Sequence, residues 1–133
     1  MKRIFLDTSD YSAFKRGQPQ VAHRVREAEL IHVNPIVLGE LRAGFLGGTR
    51  LAENLAELAR FLALPQVEIL SVDEVTAGHY AAIHSALREL SKPIPTNDVW
   101  IAASAQQSDS VLITTDPHFA RVAQVVSEIL PIT

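Results

Sequence analysis

Apolar and polar positions recur along this chain with two different periods, and the changes from one period to the other predict its elements. Lys2-Arg3-Ile4-Phe5-Leu6 is a short run of strand formers that stops at Asp7-Thr8-Ser9, residue types that favour turns and helix caps. A helical piece runs on to Gly17 and Pro19, and residues 20–28 read as a second helix with Val21 and Val25 on one face. Leu30 to Val33 predicts a short strand. Pro35 suits a first helical turn, and Val37, Leu38, Leu41 and Phe45 then make one stripe that Gly47-Gly48 ends. Leu51, Leu55, Leu58 and Leu62 recur at helical spacing, with Glu53, Glu57 and Arg60 off that face, until Pro65 closes the helix.

Residues 67–72 alternate as a strand. A long helix follows from about Asp73 to Leu90, with Tyr80, Ile83, Leu87 and Leu90 as its stripe. Asp73 suits its N-cap, while Thr76, three residues on, is not the acid of a capping box. Lys92-Pro93-Ile94-Pro95 is a stiff link into a nearly all-apolar helix from Asn97, and a buried strand then ends at Asp116. Pro117 opens a short helix, and residues 122–132 hold one last strand. Strands alternating with helices predict an α/β fold: a parallel sheet of roughly four or five strands flanked by helices. The 133 residues fit one domain, taken as residues 1–133, with no repeat and no linker.

Composition narrows the chemistry. The chain is 47% hydrophobic and 20% charged, as expected of a globular domain. It has no cysteine, so a disulfide scaffold, a thiolate metal site and a cysteine nucleophile are excluded together. Any metal must take oxygen or imidazole ligands. The opening residues MKRIFLDTSDYS lack the long apolar region of a secretory leader, and no window approaches the roughly 18 apolar residues of a membrane span. A cytoplasmic protein without membrane attachment is expected. The net charge of -3 argues against a protein that merely coats a polyanion, but it is compatible with a nuclease that gathers acids around a metal.

Four acids stand where such a gathering would form. Asp7 ends the first strand, Asp116 ends the fourth, Asp98 opens a helix, and Glu40 lies at the margin of an apolar stripe beside Leu41. In a parallel sheet these positions converge on the carboxyl edge, where ligands of open α/β sheets bind. Each acid also has a plainer account. Asp98 suits the helix dipole, worth under about 1 kcal/mol. Asp116-Pro117 reads equally as a turn, Glu40 as a solvated helix residue, and Asp7-Thr8-Ser9 as a cap. What favours a site is that the topology sends all four to one edge.

Four carboxylates together raise one another's pKa, and a divalent cation removes that penalty. All-oxygen ligation suits magnesium or manganese. Such an ion can polarise a phosphoryl oxygen, activate water and stabilise a leaving oxygen, which is metal-assisted phosphodiester hydrolysis. Thr8, Asn97 and Thr114 or Thr115 have side chains that orient water or substrate, although capping and turn bonds account for them as well. Asp10 lacks the D-x-D spacing of an aspartate nucleophile and reads as a surface or helix-start residue. His118 and Trp100 read as structural, and Lys15, Arg16 and Arg42 as rim or solvated cations.

The strand ending in LDTS, Gly39-Glu40-Leu41, the NDVWIAA of the late helix and the TTDPHF of residues 114–119 together resemble the PIN-domain ribonucleases, and among them the VapC-type toxins of toxin–antitoxin pairs. The resemblance spans almost the whole chain. It implies RNA as substrate, endonucleolytic cleavage, and dependence on Mg2+ or Mn2+. It implies that Asp7, Glu40, Asp98 and Asp116 form the acidic quartet. Asp7 and Asp98 then hold the metal directly, while Glu40 and Asp116 complete the site or position the attacking water. It further implies a homodimer and a cognate antitoxin protein, the former in keeping with the leucine-rich stripes of residues 51–62 and 80–90. Two other readings remain: a PIN-like module that binds RNA or protein without cutting, and a receiver domain. The second wants a lysine after a late strand, and Lys92 precedes the wrong element.

Overall fold

The computed structural model describes residues 2–131. Its centre is a sheet whose strands are each three or four residues long: β1 (Arg3–Leu6), β2 (Leu30–Val33), β3 (Val67–Ile69), β4 (Val111–Thr114) and β5 (Ser127–Ile129). The strands lie in the order β3-β2-β1-β4-β5, and every neighbouring pair is parallel. The chain therefore winds outward one way through β2 and β3, then returns to the other side of β1 for β4 and β5. The reversal lies between β1 and β4, and it is at such a switch point that the crevice beyond the strand ends opens.

Among the described residues six α-helices cover the sheet: α1 (Thr8–Lys15), α2 (Pro19–Glu27), α3 (Pro35–Leu46), α4 (Leu51–Leu62), α5 (Glu74–Glu89) and α6 (Thr96–Gln107). Their starts follow from local chemistry. The Asp7 carboxylate accepts from the Thr8 amide at 2.7 Å, and Asn34 accepts from the Val37 amide at 3.0 Å, with Pro35 in the first turn. Against the expectation for α5, a reciprocal cap does form there. The Asp73 amide donates to Thr76 Oγ1 at 3.0 Å and the Thr76 amide donates to Asp73 Oδ1 at 3.1 Å. A threonine hydroxyl supplies the acceptor usually provided by a glutamate or glutamine.

The core is built on Phe5, Leu6, Ile31, Leu112 and Ile113 from the central strands, with helices closing both faces. Helix α6 buries Ile101 and the small residues Ala102, Ala103, Ser104 and Ala105. Asn34 Nδ2 donates to Ser104 Oγ at 2.7 Å, which ties α6 to the start of α3. Trp100 is only half-buried and stacks on Tyr80 of α5, ring centres 4.2 Å apart. The stripes of α4 and α5 are incompletely covered: Leu58 and Leu87 are buried, whereas Leu51 and Leu90 are exposed.

Two boundaries differ from the sequence expectation. Strand β3 is shorter than residues 67–72, because after the Leu70 amide donates to the Val33 carbonyl the edge strand has no further partner. The last strand occupies only Ser127–Ile129; the preceding residues form turns that bury Val122 and Val125. Residue 132, within the expected strand, lies outside the described residues. Among the described residues no helix is long and apolar enough to cross a membrane.

Candidate metal centre at the switch point

Beyond the ends of β1 and β4 the structure brings the four expected acids together, each delivered by a different element. Asp7 sits where β1 turns into α1 and is only 6% exposed. Its two oxygens are held: Oδ1 by the Thr8 amide, and Oδ2 by the Thr114 hydroxyl at 2.9 Å and, more weakly, the Ser9 hydroxyl at 3.4 Å. Thr114 is the last residue of β4, and its Oγ1 also accepts the Asp116 amide at 2.9 Å. One hydroxyl thus fixes two of the acids relative to each other, across neighbouring strands.

Asp116 caps the 3-10 helix Pro117–Arg121 by accepting from the His118 amide at 2.9 Å. Glu40, on α3, accepts from the Thr8 hydroxyl at 2.6 Å and from Asn97 Nδ2 at 3.4 Å. Thr8, Asn97 and Thr114, expected to orient water or substrate, therefore spend their donors on the carboxylates themselves. Asp98 stands in the first turn of α6 beside Asn97 and is half-buried.

The electrostatics record how close the acids are. Burial pushes the Asp98 carboxyl up to about 6, and the charges of Asp7, Asp116 and Glu40 push in the same direction, against a smaller opposing effect of His118. The Asp7 carboxyl is also raised, chiefly by burial. Its bonds to Thr114 and Thr8 offset part of that rise, and the charges of Glu40 and Asp116 add to it. A set of carboxylates that destabilise one another in the absence of a cation has the chemistry of a cation site.

Among the described residues, Asp98, Asp116 and His118 have ligating atoms that all lie within 4.8 Å of one another, a group that does not take in Asp7 or Glu40. His118 Nδ1 is 3.2 Å from Asp116 Oδ1, though without the alignment of a hydrogen bond. Read from sequence as structural, His118 reaches the site because the turn after Asp116 folds its ring back over that carboxylate. The donors fit a hard divalent ion: carboxylate oxygens dominate, and among the described residues no thiolate is present.

Asp10 stands in the first turn of α1, as the helix-start half of its sequence reading has it, but the surface half is corrected. It is fully buried rather than on the surface, and its Oδ1 has no partner. Burial and then the charge of Asp7 push its carboxyl up to about 7, against opposing bonds from Ser9 and the Thr115 backbone. The clue was available in the spacing, since residues three apart on a helix share a face, so Asp10 follows Asp7 inward.

Of the basic residues placed at the rim, Lys15 is 3.6 Å from Glu57, whereas Arg16 and Arg42 are exposed. A cavity of about 500 Å³ between Lys2, Arg24, Glu27, Asp109 and Glu128 lies beside the amino ends of β1 and β4, away from the acids. Four of its charges are already paired, Arg24 with Glu128 and Lys2 with Glu27.

Comparison with known proteins agrees with this architecture. The PIN domain family profile matches residues 4–125. The chain is 31% identical over 93 residues to Ribonuclease VapC4 of Mycobacterium tuberculosis, covering 70% of this chain and 72% of that protein. It is 30% identical over 118 residues to Ribonuclease VapC5 of the same organism, covering 86% and 84%. The crystal structure of VapBC-5 from Mycobacterium tuberculosis, a member of the VapBC family of toxin-antitoxin systems, superposes with a TM-score of 0.74 at 28% identity, over 99% of this chain and 100% of that one.

Proposed function

We propose, from the premise that the chain belongs to the PIN domain family, that it is a magnesium- or manganese-dependent endoribonuclease, the toxin of a toxin–antitoxin pair. The observation that carries this reading is the convergence of Asp7, Glu40, Asp98 and Asp116 on the switch point, with Asp98 raised to about 6 by burial and by the other three. Asp98 and Asp7 would hold the ion directly, with Glu40 and Asp116 completing the site or positioning the attacking water. His118 stands close enough to Asp98 and Asp116 to share in ligation. The ion would supply Lewis acidity at the scissile phosphate.

The chain's own residues do the rest. Thr8 and Asn97 hold Glu40 in place, and Thr114 sets the distance between Asp7 and the Asp116 turn. Helix α6 aims its first turn, with Asp98, at the same point. Ribonucleases among the relatives, and a toxin–antitoxin complex among the structural neighbours, support RNA as substrate and an antitoxin protein as partner. A homodimer is in keeping with the exposed Leu46, Leu51, Leu64 and Leu90, and we place the protein in the cytoplasm, away from the membrane.

The direct test is to incubate the purified protein with total RNA, with magnesium or with a chelator, and to map new ends. Internal cuts that appear only with the ion are expected. Tight binding of RNA with magnesium but no cut in any RNA would sink the enzyme reading in favour of a non-cleaving module.

Thr114→Val tests the scaffold. It removes the donor to Asp7 and the acceptor for the Asp116 amide while keeping the side-chain shape. Loss of such an outer partner costs roughly 10–100-fold in metal affinity or activity. Titration of the variant with manganese should show that weakening with the fold intact; unchanged affinity would mean that Thr114 serves only the turn.

A further inference from the structure

We propose that Arg16 and the polar cavity it borders bind a backbone phosphate of the RNA away from the scissile one, a subsite that rests on the ribonuclease reading above. The cavity, about 460 Å³, is lined by Ser9, Ser12, Arg16, Gly17, Gln18 and Thr115 among others, and among the described residues no carboxylate lines it. It adjoins the metal centre. Thr115 Oγ1 donates to Ser9 Oγ at 3.1 Å, and Ser9 Oγ donates to Asp7 Oδ2 at 3.4 Å, so one wall of the cavity is a single hydrogen bond from the quartet.

The charge balance favours a cation beside the cut site. RNA approaching a chain of net charge -3 meets its densest acids at the cut site, and an ion there compensates only the scissile phosphate. Flanking phosphates must find cations on the protein. Several nearby cations are engaged: Lys15 by Glu57, Arg50 by Glu53 and Arg24 by Glu128. The Arg16 side chain has no hydrogen bond or ion pair among the described residues, while its backbone is fixed, its amide bonding to Ser12 and Phe14 carbonyls as the C-cap of α1.

The start of α2 does not supply the charge instead. Gln18 Oε1 already accepts from the Gln20 and Val21 amides at 2.8 and 3.1 Å. Gly17, with φ of +79°, turns the chain sharply after Arg16 without adding a side chain to the cavity. The Arg16 guanidinium beside the Ser12 hydroxyl matches a phosphodiester, whose free oxygens accept hydrogen bonds and pair with the planar fork, while the Ser9 and Thr115 protons are committed to Asp7 and Ser9.

The test uses a short oligoribonucleotide carrying a cut site mapped with the parent protein, bound in magnesium by proteins that also carry Asp98→Asn so that it stays intact. Arg16→Gln should weaken binding about tenfold and lower the slope of log affinity against log salt by roughly 0.7, the contribution of one single-strand phosphate contact. Arg16→Lys should restore the slope, and Arg26→Gln, on the outer face of α2, should change neither quantity. Replacing phosphates one at a time by methylphosphonate should reveal a flanking position that matters to the parent and is silent in Arg16→Gln. Unchanged affinity and slope in Arg16→Gln, with cleavage by the parent intact, would overturn the subsite alone. Absence of cleavage by the parent would overturn both it and the ribonuclease reading.

Discussion

Asp98→Asn is expected to lower ion-dependent RNA cleavage by more than about 100-fold while making the ion-free protein more stable. The two effects have one cause. A ligand that touches the ion matters more than an outer partner, whose loss costs roughly 10–100-fold. Without the ion the same carboxylate is a liability, because it is half-buried among Asp7, Asp116 and Glu40 and its pKa rises from 3.8 to about 6. At neutral pH that shift corresponds at face value to about 3 kcal/mol. Partial exposure and screening reduce it to on the order of 1 kcal/mol. Asparagine keeps the shape and removes the charge. Cleavage assays should show the loss, and thermal melts in chelator should show a midpoint a few degrees higher than the parent's. Normal cleavage would exclude Asp98 as a ligand, and a lower ion-free midpoint would contradict the account of crowded carboxylates.

Chelation should abolish cleavage without unfolding the protein, and restoring magnesium should raise its melting temperature by an amount that depends on pH. The unfolded chain releases the Asp98 proton near 3.8, whereas the ion-free folded chain keeps it to about 6. Between those values the folded state binds more protons. Ion-free stability therefore falls as pH rises through that window, and this contribution is fully lost above about 6. Asp7, raised in the same sense, adds to the decline, and Asp10 extends it to about 7. The ion binds the carboxylate form, so below about 6 it must displace a proton and its affinity drops. Saturating magnesium, at about 100 times its dissociation constant, adds roughly 2.7 kcal/mol. Melts at about pH 7.5 should show a clear gain with magnesium, and melts at about pH 5 little or none. Equal gains at both would mean that Asp98 and Asp7 do not carry the ion.

Asp7, Asp98 and Asp116 were legible because each sits at a boundary that local chemistry marks. A strand run stops at LDTS, Pro95 precedes a helix, and VLIT runs into a proline turn. Glu40 was harder, since a glutamate at the edge of an apolar stripe has the look of a solvated residue, and only its place beyond the second strand of a parallel sheet grouped it with the other three. The partners of the acids were the least legible. Nothing in TTDPHF says that the first threonine bonds back to Asp7, because that contact spans 107 residues and exists only once β4 has paired with β1. His118 likewise joins Asp98 and Asp116 through the path of one short turn. The burial of Asp10 was half legible, its spacing from Asp7 being helical, yet what closes over it comes from elsewhere in the chain.

Taken alone, the order of periodicities determined the alternation of strands and helices, and with it a parallel sheet whose carboxyl edge gathers four acids. Periodicity and capping act within a few residues, so they can be read in a line of letters. The strand order β3-β2-β1-β4-β5, the reversal between β1 and β4 and the hydroxyls that hold Asp7 and Glu40 were decided only by the tertiary structure. Those features depend on register and on side chains distant in sequence. The electrostatic strain at that edge arises from carboxylates brought within reach of one another, and that distance exists only in the folded chain.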